Sequence, residues 1–494
     1  MADFDLAIIG GGINGAGIAR DAAGRGLKVL LVEQNDLASG TSSASSKLIH
    51  GGLRYLEQGA LRLVREALAE REVLLRNAPH IIRPMRFVLP PQAGMRSPFM
   101  LRLGLFIYDH LGKRRLLPAT RTLDLTHHEV AGPLRRRFRL GFEYSDCWVD
   151  DSRLVVLNAL DAAARGAVIR TRTKAVRAER EDLWRLVLNH RGRRDVATAR
   201  LLINAAGPWI DTVGETIVRQ PLPGKVRLDK GSHIVVKSLF DHDRGYLLQA
   251  KDGRVVFALP YQRDFTLIGT TDRSYAGDPG IATPDADEIN YLCEAANDYF
   301  RQTISAGDVV HAYAGVRALY DDGSKKPQDL TRDYHLALDQ KFHEAPLLTV
   351  FGGKITTYRK LAEAALDRMA HFFDAGRAWT AHAPLPGGDF PFDGLAAQIE
   401  TVRTRWPFLA PHHAERLVQA YGTRVEQVLG AAWTPDDLGE VFGADLTAAE
   451  VRYLMCHEWA QTEDDVLWRR SKLGLRLSRD ERERLGRFMA SEIG

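Results

Sequence analysis

The chain begins with a short apolar segment that runs directly into a glycine-rich turn. Residues 6–9 are apolar, and Gly10, Gly12 and Gly15 follow at the spacing GxGxxG. In a strand, turn and helix unit the first glycine permits the turn, the second admits a pyrophosphate, and the third lets helix and strand pack closely. Residues 16–23 then have helical character. The turn therefore predicts an α/β domain that binds a dinucleotide at a helix N-terminus.

Glu33 supports the same prediction. It ends the second apolar segment, residues 29–32, and follows Gly15 by 18 residues. A carboxylate at this place accepts hydrogen bonds from the hydroxyls of an adenosine ribose. NAD and FAD both carry that ribose. The position of the turn near the N-terminus, the small residues at 41–47 and a later strand and turn at 201–209 favour the longer molecule, FAD.

Composition limits the remaining choices. A chain of 494 residues with 45% hydrophobic residues predicts two or three domains with a large core. A net charge of +4 suits an anionic small molecule or an acidic membrane surface and does not imply nucleic acid. Three cysteines without CxxC spacing predict neither a disulfide framework nor a metal site, and favour a reducing compartment. We expect no export signal and no transmembrane helix.

The order of elements indicates several domains. Strand-like runs alternate with turns from 225 to 338 and predict an antiparallel domain that shapes a substrate site. Chain breakers at 384–391 precede segments rich in helix formers, which predicts a boundary there. We predict a dinucleotide domain in three parts (1–90, 151–220 and 346–383), an insertion at 91–150 that belongs to the substrate domain or faces a membrane, a substrate domain at 221–345, and a helical domain at 394–494.

Seven blocks of the sequence are similar to one known family. They are 42–56 (SSASSKLIHGGLRYL), 141–151, 230–236, 268–272, 331–334, 350–359 and 465–470. In order and in sequence these blocks resemble the respiratory FAD-dependent glycerol-3-phosphate dehydrogenases over nearly the whole chain. The resemblance implies an α/β and α+β architecture like that of D-amino-acid oxidase. In it a Rossmann-type FAD domain is interleaved with an antiparallel-sheet substrate domain, and a C-terminal helical domain follows.

The resemblance also implies an activity and partners. We expect oxidation of sn-glycerol 3-phosphate to dihydroxyacetone phosphate by hydride transfer to noncovalent FAD, with a quinone as the electron acceptor. Attachment to the inner leaflet, at the cytoplasmic face of the cell membrane, is expected to be peripheral or monotopic. A homodimer is compatible with the resemblance, and no nucleic acid is expected. The alternatives are an oxygen-dependent glycerol-phosphate oxidase, an amino-acid oxidase of the same fold, and a flavin-binding redox sensor or scaffold.

The glycine turn and the resemblance together predict the residues that contact FAD. Most are small or hydroxyl-bearing residues, which admit the cofactor closely or donate hydrogen bonds to it. One departure from the family is Ala205, which stands before Ala206 and Gly207 where threonine often precedes the glycine. The predicted cofactor residues are Gly10, Gly12, Asn14, Gly15, Glu33, Thr41, Ser42, Ser45, Ser46, Lys47, Leu48, Ala206, Gly207, Gly352, Gly353, Lys354 and Thr356.

Three arginines are the predicted anchors of the substrate. A phosphate monoester carries about −1.5 to −2 charge at neutral pH, and arginine binds its oxygens through charge-assisted hydrogen bonds. Arg54, Arg317 and Arg332 each match a substrate-contacting arginine of the family. Tyr55 and Thr270 are the further substrate residues that the resemblance implies.

The oxidation also needs a group that removes the hydroxyl proton at C2. His233, in the block that begins at Lys230, is the first candidate for this base. Lys354 is the second, because an ammonium beside the flavin stabilises negative charge there or polarises the substrate oxygen. Together with Arg317 they form the predicted catalytic set.

An apolar segment at 97–111 has two interpretations. It is followed by the cations Lys113, Arg114 and Arg115, so that it could lie in a membrane interface with its apolar face in one leaflet. It is too short to span a bilayer, which takes about 20 apolar residues. The other interpretation is a helix buried between domains.

Overall fold

The computed structural model describes residues 2–57, 59–92, 96–112, 114–222, 224–321 and 333–493. The strands are β1 Phe4–Ile9, β2 Val29–Val32, β3 Leu48–Ile49, β4 Ile82–Leu89, β5 Arg121–Asp124, β6 Leu140–Val149, β7 Val168–Arg170, β8 Thr173–Arg180, β9 Trp184–His190, β10 Arg193–Asn204, β11 Lys225–Lys237, β12 Gly245–Gln249, β13 Val255–Tyr261, β14 Phe265–Gly269, β15 Arg273–Ser274, β16 Val309–Asp321, β17 His335–Asp339, β18 Leu347–Phe351, β19 Val441–Gly443 and β20 Leu446–Thr447. The α-helices are α1 Ile13–Gly24, α2 Leu61–Asn77, α3 Pro98–Leu111, α4 Asp151–Ala164, α5 Ile210–Thr212, α6 Ala286–Asn297, α7 Tyr358–Arg368, α8 Leu395–Arg405, α9 Pro411–Tyr421, α10 Val425–Leu429, α11 Ala448–Glu458 and α12 Arg479–Ile493.

The first sheet has a parallel core in the order β18, β10, β1, β2, β7. β17 pairs antiparallel with β18 at one edge, and β8 and β9 extend β10 as an antiparallel ribbon. β2 is buried along its whole length. Both faces are covered, because α1, α4 and α7 pack on one side while the β8 to β10 ribbon covers the other. This double cover explains why β1 and β2 are apolar runs rather than alternating ones.

The second sheet is almost entirely antiparallel. Its order is β15, β11, β14, β13, β12, β4, β6, β3, with β16 on β11 and β5 on β6; among the described residues only β12 and β4 pair in parallel. Helix α6 covers one face, where Leu292 and Ala296 join the core with Phe300. Helices α2 and α3 supply Val64 and Leu105 to the core on the other face. β3 to β6 come from the chain between β2 and β7 of the first sheet, so the two sheets interleave.

The helices α8 to α12 form a third unit with a hydrophobic core of their own, built around Trp406, Leu417 and Leu454. The predicted fold class, a Rossmann-type sheet interleaved with an antiparallel sheet and followed by a helical domain, is thereby confirmed. Within the ranges that the structure describes, none of the helices combines the length and the apolar character needed to cross a membrane.

Candidate active site

A cavity of about 970 Å³ opens where four parallel strands of the first sheet end. β1, β2, β10 and β18 lead into Gly10, Glu33, Ala205 and Gly352, and all four residues line the cavity. In open α/β sheets ligands bind in the crevice outside the carboxyl ends of the strands. The volume is at the upper end of the about 300–1,000 Å³ that is usual for ligand pockets. The cavity therefore suits a large ligand such as a dinucleotide.

Two glycines of the turn, Gly10 and Gly15, leave no room for a Cβ atom. Gly10 has φ 116°, and a Cβ atom there would lie 2.5 Å from the carbonyl oxygen of Ala205. A Cβ on Gly15 would lie 2.0 Å from the carbonyl oxygen of Gly10, which explains why this glycine serves packing and does not line the cavity. Gly12 caps α1 without a side-chain hydrogen bond and does line the cavity. The start of α1 is thus presented to a phosphate in the predicted way.

Glu33 is half-buried and holds the turn together. Its Oε2 accepts a hydrogen bond of 2.7 Å from the backbone N–H of Gly11, and its Oε1 accepts one of 2.8 Å from that of Asn35. An ionised carboxylate has about four acceptor positions. Two remain for the hydroxyls of a ribose, so the bonds within the protein do not exclude the predicted role.

Asn14 joins the glycine turn to Gly352, which follows β18. Its Nδ2 donates a 3.1 Å hydrogen bond to the carbonyl of Gly352. Its Oδ1 is buried and has no hydrogen-bond partner in the described part of the chain, although the residue lines the cavity. Buried polar atoms are nearly always paired. The unpaired Asn14 Oδ1 is a hydrogen-bond acceptor beside the cavity. Together with the glycines of the lining, it suits a ligand with hydroxyl donors, such as the ribityl chain of FAD.

The loop of small residues after β2 lies against the cavity, but Lys47 of this loop does not line it. Ser45 and Ser46 line the cavity, whereas Lys47 points away from it. The Lys47 ammonium is buried and lies 2.9 Å from Asp151 Oδ1, and Asp151 also accepts hydrogen bonds from the N–H and hydroxyl of Ser45. The ammonium of Lys47 is thus committed to Asp151, because a buried ammonium needs its carboxylate partner, and a contact of Lys47 with the cofactor stays a prediction.

The antiparallel sheet brings the polar residues of the substrate end together through strand register. β11 pairs with β16 so that Asp229 stands opposite Arg317 and His233 opposite Tyr313. Arg317 Nη1 lies 2.6 Å from Asp229 Oδ2 and 3.3 Å from Asp272 Oδ1. Residues two apart on a strand share a face. Gly231, between the two positions on β11, has no side chain and leaves room for the guanidinium.

The charges at this end are unequal. Burial, and next the hydrogen bond with Asp272, raise the pKa of Asp229 to about 7, although Arg317 opposes the shift. Arg317 therefore shares its charge with two carboxyl groups. Arg54 lines the cavity from a 3₁₀ helix, Leu53–Leu56, and forms no ion pair within the described ranges. Of these two arginines, Arg54 is therefore better suited to bind an anionic ligand, because Arg317 is already paired with carboxyl groups.

His233 is held rigidly beside the cavity. Its Nε2 lies 2.9 Å from Ser46 Oγ, and its ring stacks on Tyr313 with 4.9 Å between centroids. The other side of the ring faces Gly269, where a Cβ would come within 2.0 Å. Burial, and next the charge of Arg317, lower the pKa of His233 to about 3. The imidazole is therefore neutral at pH 7, as a proton acceptor must be.

Lys354 also lines the cavity. Its Nζ is 3.6 Å from the ring centroid of Tyr55, the range of a strong cation–π contact. Lys354 and His233 both line the cavity, so both stay candidates for the base. Arg332 lies outside the described residues. The other predicted residues that line the cavity are Gly10, Gly12, Asn14, Glu33, Thr41, Ser42, Ser45, Ser46, Leu48, Arg54, Tyr55, Ala206, Gly207, Thr270, Arg317, Gly352, Gly353 and Thr356.

Three residues of the site were missed from the sequence. Asp229 sets the charge of Arg317, Tyr313 orients His233, and Asp151 holds the serine loop. Asp151 lies in one of the blocks that resemble the family, and Asp229 immediately precedes another. The similarity of those blocks to the family was therefore the signal that could have identified Asp151 and Asp229. Tyr313 had none, because its partner is 80 residues away and only the register of β11 and β16 joins them.

The fold and the cavity define a dinucleotide-dependent oxidoreductase, with a nucleotide end on a parallel sheet and a cationic end on an antiparallel one. Comparison with known proteins narrows this class. Residues 5–359 match the family described as FAD dependent oxidoreductase, and residues 378–494 match the C-terminal domain of alpha-glycerophosphate oxidase. The chain belongs to the FAD dependent oxidoreductase family and, within it, to the glycerol-3-phosphate dehydrogenases. Its cofactor is FAD.

Three similar proteins support this membership. Glycerol-3-phosphate dehydrogenase of Pseudomonas aeruginosa is 53% identical over 492 residues, which are 99% of this chain and 95% of the relative. D-erythritol 1-phosphate dehydrogenase of Brucella abortus is 50% identical over 485 residues, 97% and 96% of the two chains. The crystal structure of glycerol-3-phosphate dehydrogenase from Bacillus halodurans complexed with FAD superimposes with a TM-score of 0.79 at 29% identity, covering 99% of this chain and 90% of that one.

Proposed function

We propose that this protein oxidises sn-glycerol 3-phosphate to dihydroxyacetone phosphate, with bound FAD accepting the hydride from C2. The observation that carries the proposal is the composition of one cavity. Its nucleotide end is the glycine turn, and its other end gathers Arg54, Arg317, Lys354 and His233. A small alcohol with a phosphate group matches that end, because it needs cations for the phosphate and a proton acceptor for the hydroxyl.

The geometry suggests a division of work between the two arginines. Arg54 has no carboxylate partner in the described ranges, so it is the main candidate to bind the phosphate. Arg317 is fixed by Asp229 and lies 3.3 Å from the Thr270 hydroxyl, which suits orientation of the glycerol oxygens. His233, held by Ser46 and Tyr313, accepts the proton of the C2 hydroxyl, or Lys354 polarises that oxygen.

A second substrate class is favoured by one comparison. The relative named D-erythritol 1-phosphate dehydrogenase is nearly as similar to this chain as the relative named glycerol-3-phosphate dehydrogenase. Both substrates are polyol phosphates, and a longer polyol would use the same cations. Anaerobic titration of the purified protein with each compound distinguishes them. Faster loss of flavin absorbance with sn-glycerol 3-phosphate supports the proposal, whereas a preference for D-erythritol 1-phosphate replaces it.

Glycerol is the control for the phosphate role. Loss of the phosphate forfeits binding energy that orients the substrate, so glycerol should be oxidised far more slowly. Equal efficiency with glycerol would contradict the role of Arg54. Peroxide measured during aerobic turnover tests the oxidase alternative. Stoichiometric formation of peroxide would indicate that oxygen, and not a quinone, is the electron acceptor.

The proposal includes a quinone acceptor and attachment to the inner face of the cell membrane. Helix α3 buries Leu101, Leu105 and Tyr108, but its other side carries exposed apolar residues. Helix α3 is therefore not fully buried between domains, which was one of the two interpretations of this segment. These exposed residues are Phe99, Met100, Leu103, Phe106 and Ile107.

The cavity itself reaches this helix. Met100, Leu103 and Ile107 are both exposed and part of the cavity lining. Phe257 and Leu89 continue the apolar lining inward. A lipid-soluble quinone would therefore meet an apolar path from the leaflet toward the cofactor. Reduction of a water-soluble ubiquinone analogue by the substrate-reduced protein tests the acceptor. Failure of the analogue to restore the flavin absorbance would contradict it.

A further inference from the structure

A short segment of the C-terminal helical domain reaches into the cofactor domain. Residues Asp465–Arg470 form one helical turn, and Arg470 makes a two-pronged ion pair with Asp36, in which both N–O distances are 2.9 Å. Both side chains are fully buried. Arg469 Nε lies 2.6 Å from the same carboxylate. Asp36 thus has two guanidinium partners that are more than 430 residues away in the sequence.

Asp36 lies in the loop that shapes the nucleotide end of the cavity. The loop follows β2, and it begins with Glu33, whose carboxylate binds the N–H of Gly11. It returns to the glycine turn at Ala38, whose N–H donates a 3.1 Å hydrogen bond to the carbonyl of Gly11. Between these two attachments to the glycine turn, the Asp36 side chain is held from the C-terminal domain. The pair therefore fixes the backbone that presents Glu33.

The same segment also contacts the start of α4, which in turn holds a second loop of the cavity. Lys472 Nζ is buried, lies 2.5 Å from Ser152 Oγ and is 3.9 Å from Asp151. Asp151 accepts the 2.8 Å hydrogen bond from the hydroxyl of Ser45, a residue of the cavity lining. One segment of eight residues thus contacts the ribose-side loop directly and the serine loop through Asp151 at the start of α4.

We infer that the segment at 465–472 completes the cofactor site, so that the C-terminal domain determines how tightly FAD is held. Arg470 acts as a positioning residue through Asp36, and Lys472 acts through Asp151. The physical reason is that the buried charge pairs define one geometry for these loops. Removal of Arg470 leaves the buried carboxylate of Asp36 with a single cation, Arg469, which is shared with Asp465, so that the loop must move to hydrate the carboxylate. The inference rests on FAD as the cofactor and does not depend on the identity of the substrate.

The test compares two arginines of the same domain, each of which is paired to a buried carboxylate. Arg470→Gln breaks the contact with Asp36. The matched control is Arg416→Gln, which breaks a pair to buried Glu450 with two N–O distances of 2.7 Å inside the helical domain. Neither loop of the cavity touches that pair. The readouts are the dissociation constant for FAD, measured by dilution of the full-length holoprotein, and the thermal midpoint of each variant.

We expect Arg470→Gln to raise the dissociation constant at least tenfold, and Lys472→Met to raise it severalfold. Arg416→Gln should lower the thermal midpoint but change the constant less than twofold. The double variant Asp36→Asn with Arg470→Gln removes both charges and should recover most of the affinity. If Arg470→Gln does not fold, Arg469→Gln is the milder substitution and should show the same direction. Equal FAD affinity in the Arg470 and Arg416 variants, at similarly lowered midpoints, would show that the pair is only structural and would overturn the inference.

Discussion

Substitution of two phenylalanines of α3 should release the protein from membranes. Phe99 and Phe106 are 78% and 59% exposed. A phenylalanine side chain presents about 200 Å², so the two offer about 270 Å² to lipid. At about 25 cal/mol per Å², full insertion is worth about 7 kcal/mol. If only half of this area enters the leaflet, about 3 kcal/mol remains, or more than a hundredfold in partitioning. Phe99→Asp with Phe106→Asp removes this term and adds repulsion from anionic lipid.

The assay is flotation with liposomes that contain anionic phospholipid, over a series of salt concentrations. Wild type should float, and its binding should weaken with salt if the exposed cations Arg102 and Arg115 face anionic head groups. The matched control is Phe342→Asp, since Phe342 is 88% exposed but lies between β17 and β18, away from α3. This control should float like wild type. If the double variant floats as well as wild type while it keeps its flavin, α3 is not the membrane contact.

Four other substitutions test the site and the pH dependence of stability. Gly15→Ala should yield protein without flavin, read as the ratio of flavin to protein absorbance, because its Cβ would lie 2.0 Å from the Gly10 carbonyl oxygen. His233→Ala should retain FAD but slow anaerobic flavin reduction by roughly 10² to 10⁴; if reduction stays fast there and fails in Lys354→Ala, the lysine is the base. Burial, and next the charge of Arg153, lower the pKa of His80 to about 3, so the folded state stays neutral while the unfolded histidine binds a proton below about pH 6.5. Stability is lost as the pH falls, by about 2 kcal/mol at pH 5 for this residue. His80→Leu should therefore reduce the drop in thermal midpoint between pH 7 and pH 5, and an unchanged drop would refute the assignment.

Much of the nucleotide end could be predicted from the sequence, because its signals are local. Gly15 is required by a contact with the Gly10 carbonyl oxygen inside one strand, turn and helix unit, and Gly10 is favoured by its own φ of 116°. Glu33 ends the next strand and can be placed by counting residues. The resemblance then supplied residues that no local pattern reveals, such as Arg54 and Lys354, and the structure brings both to one cavity.

Other features were decided only by the tertiary structure. Lys47 belongs to the same segment of small residues as Ser45 and Ser46. Its side chain is nevertheless buried in the protein, because it pairs there with Asp151. His233 obtains its orientation from Ser46 and Tyr313, which come from a loop and a strand far apart in the chain. Arg470 meets Asp36 across 434 residues. Local periodicity indicates that a residue is buried or that a segment is a strand, but the partner of a buried charge depends on strand register and on how domains dock. Because burying a charge is favourable only with its partner in place, those pairings are determined when the whole chain packs.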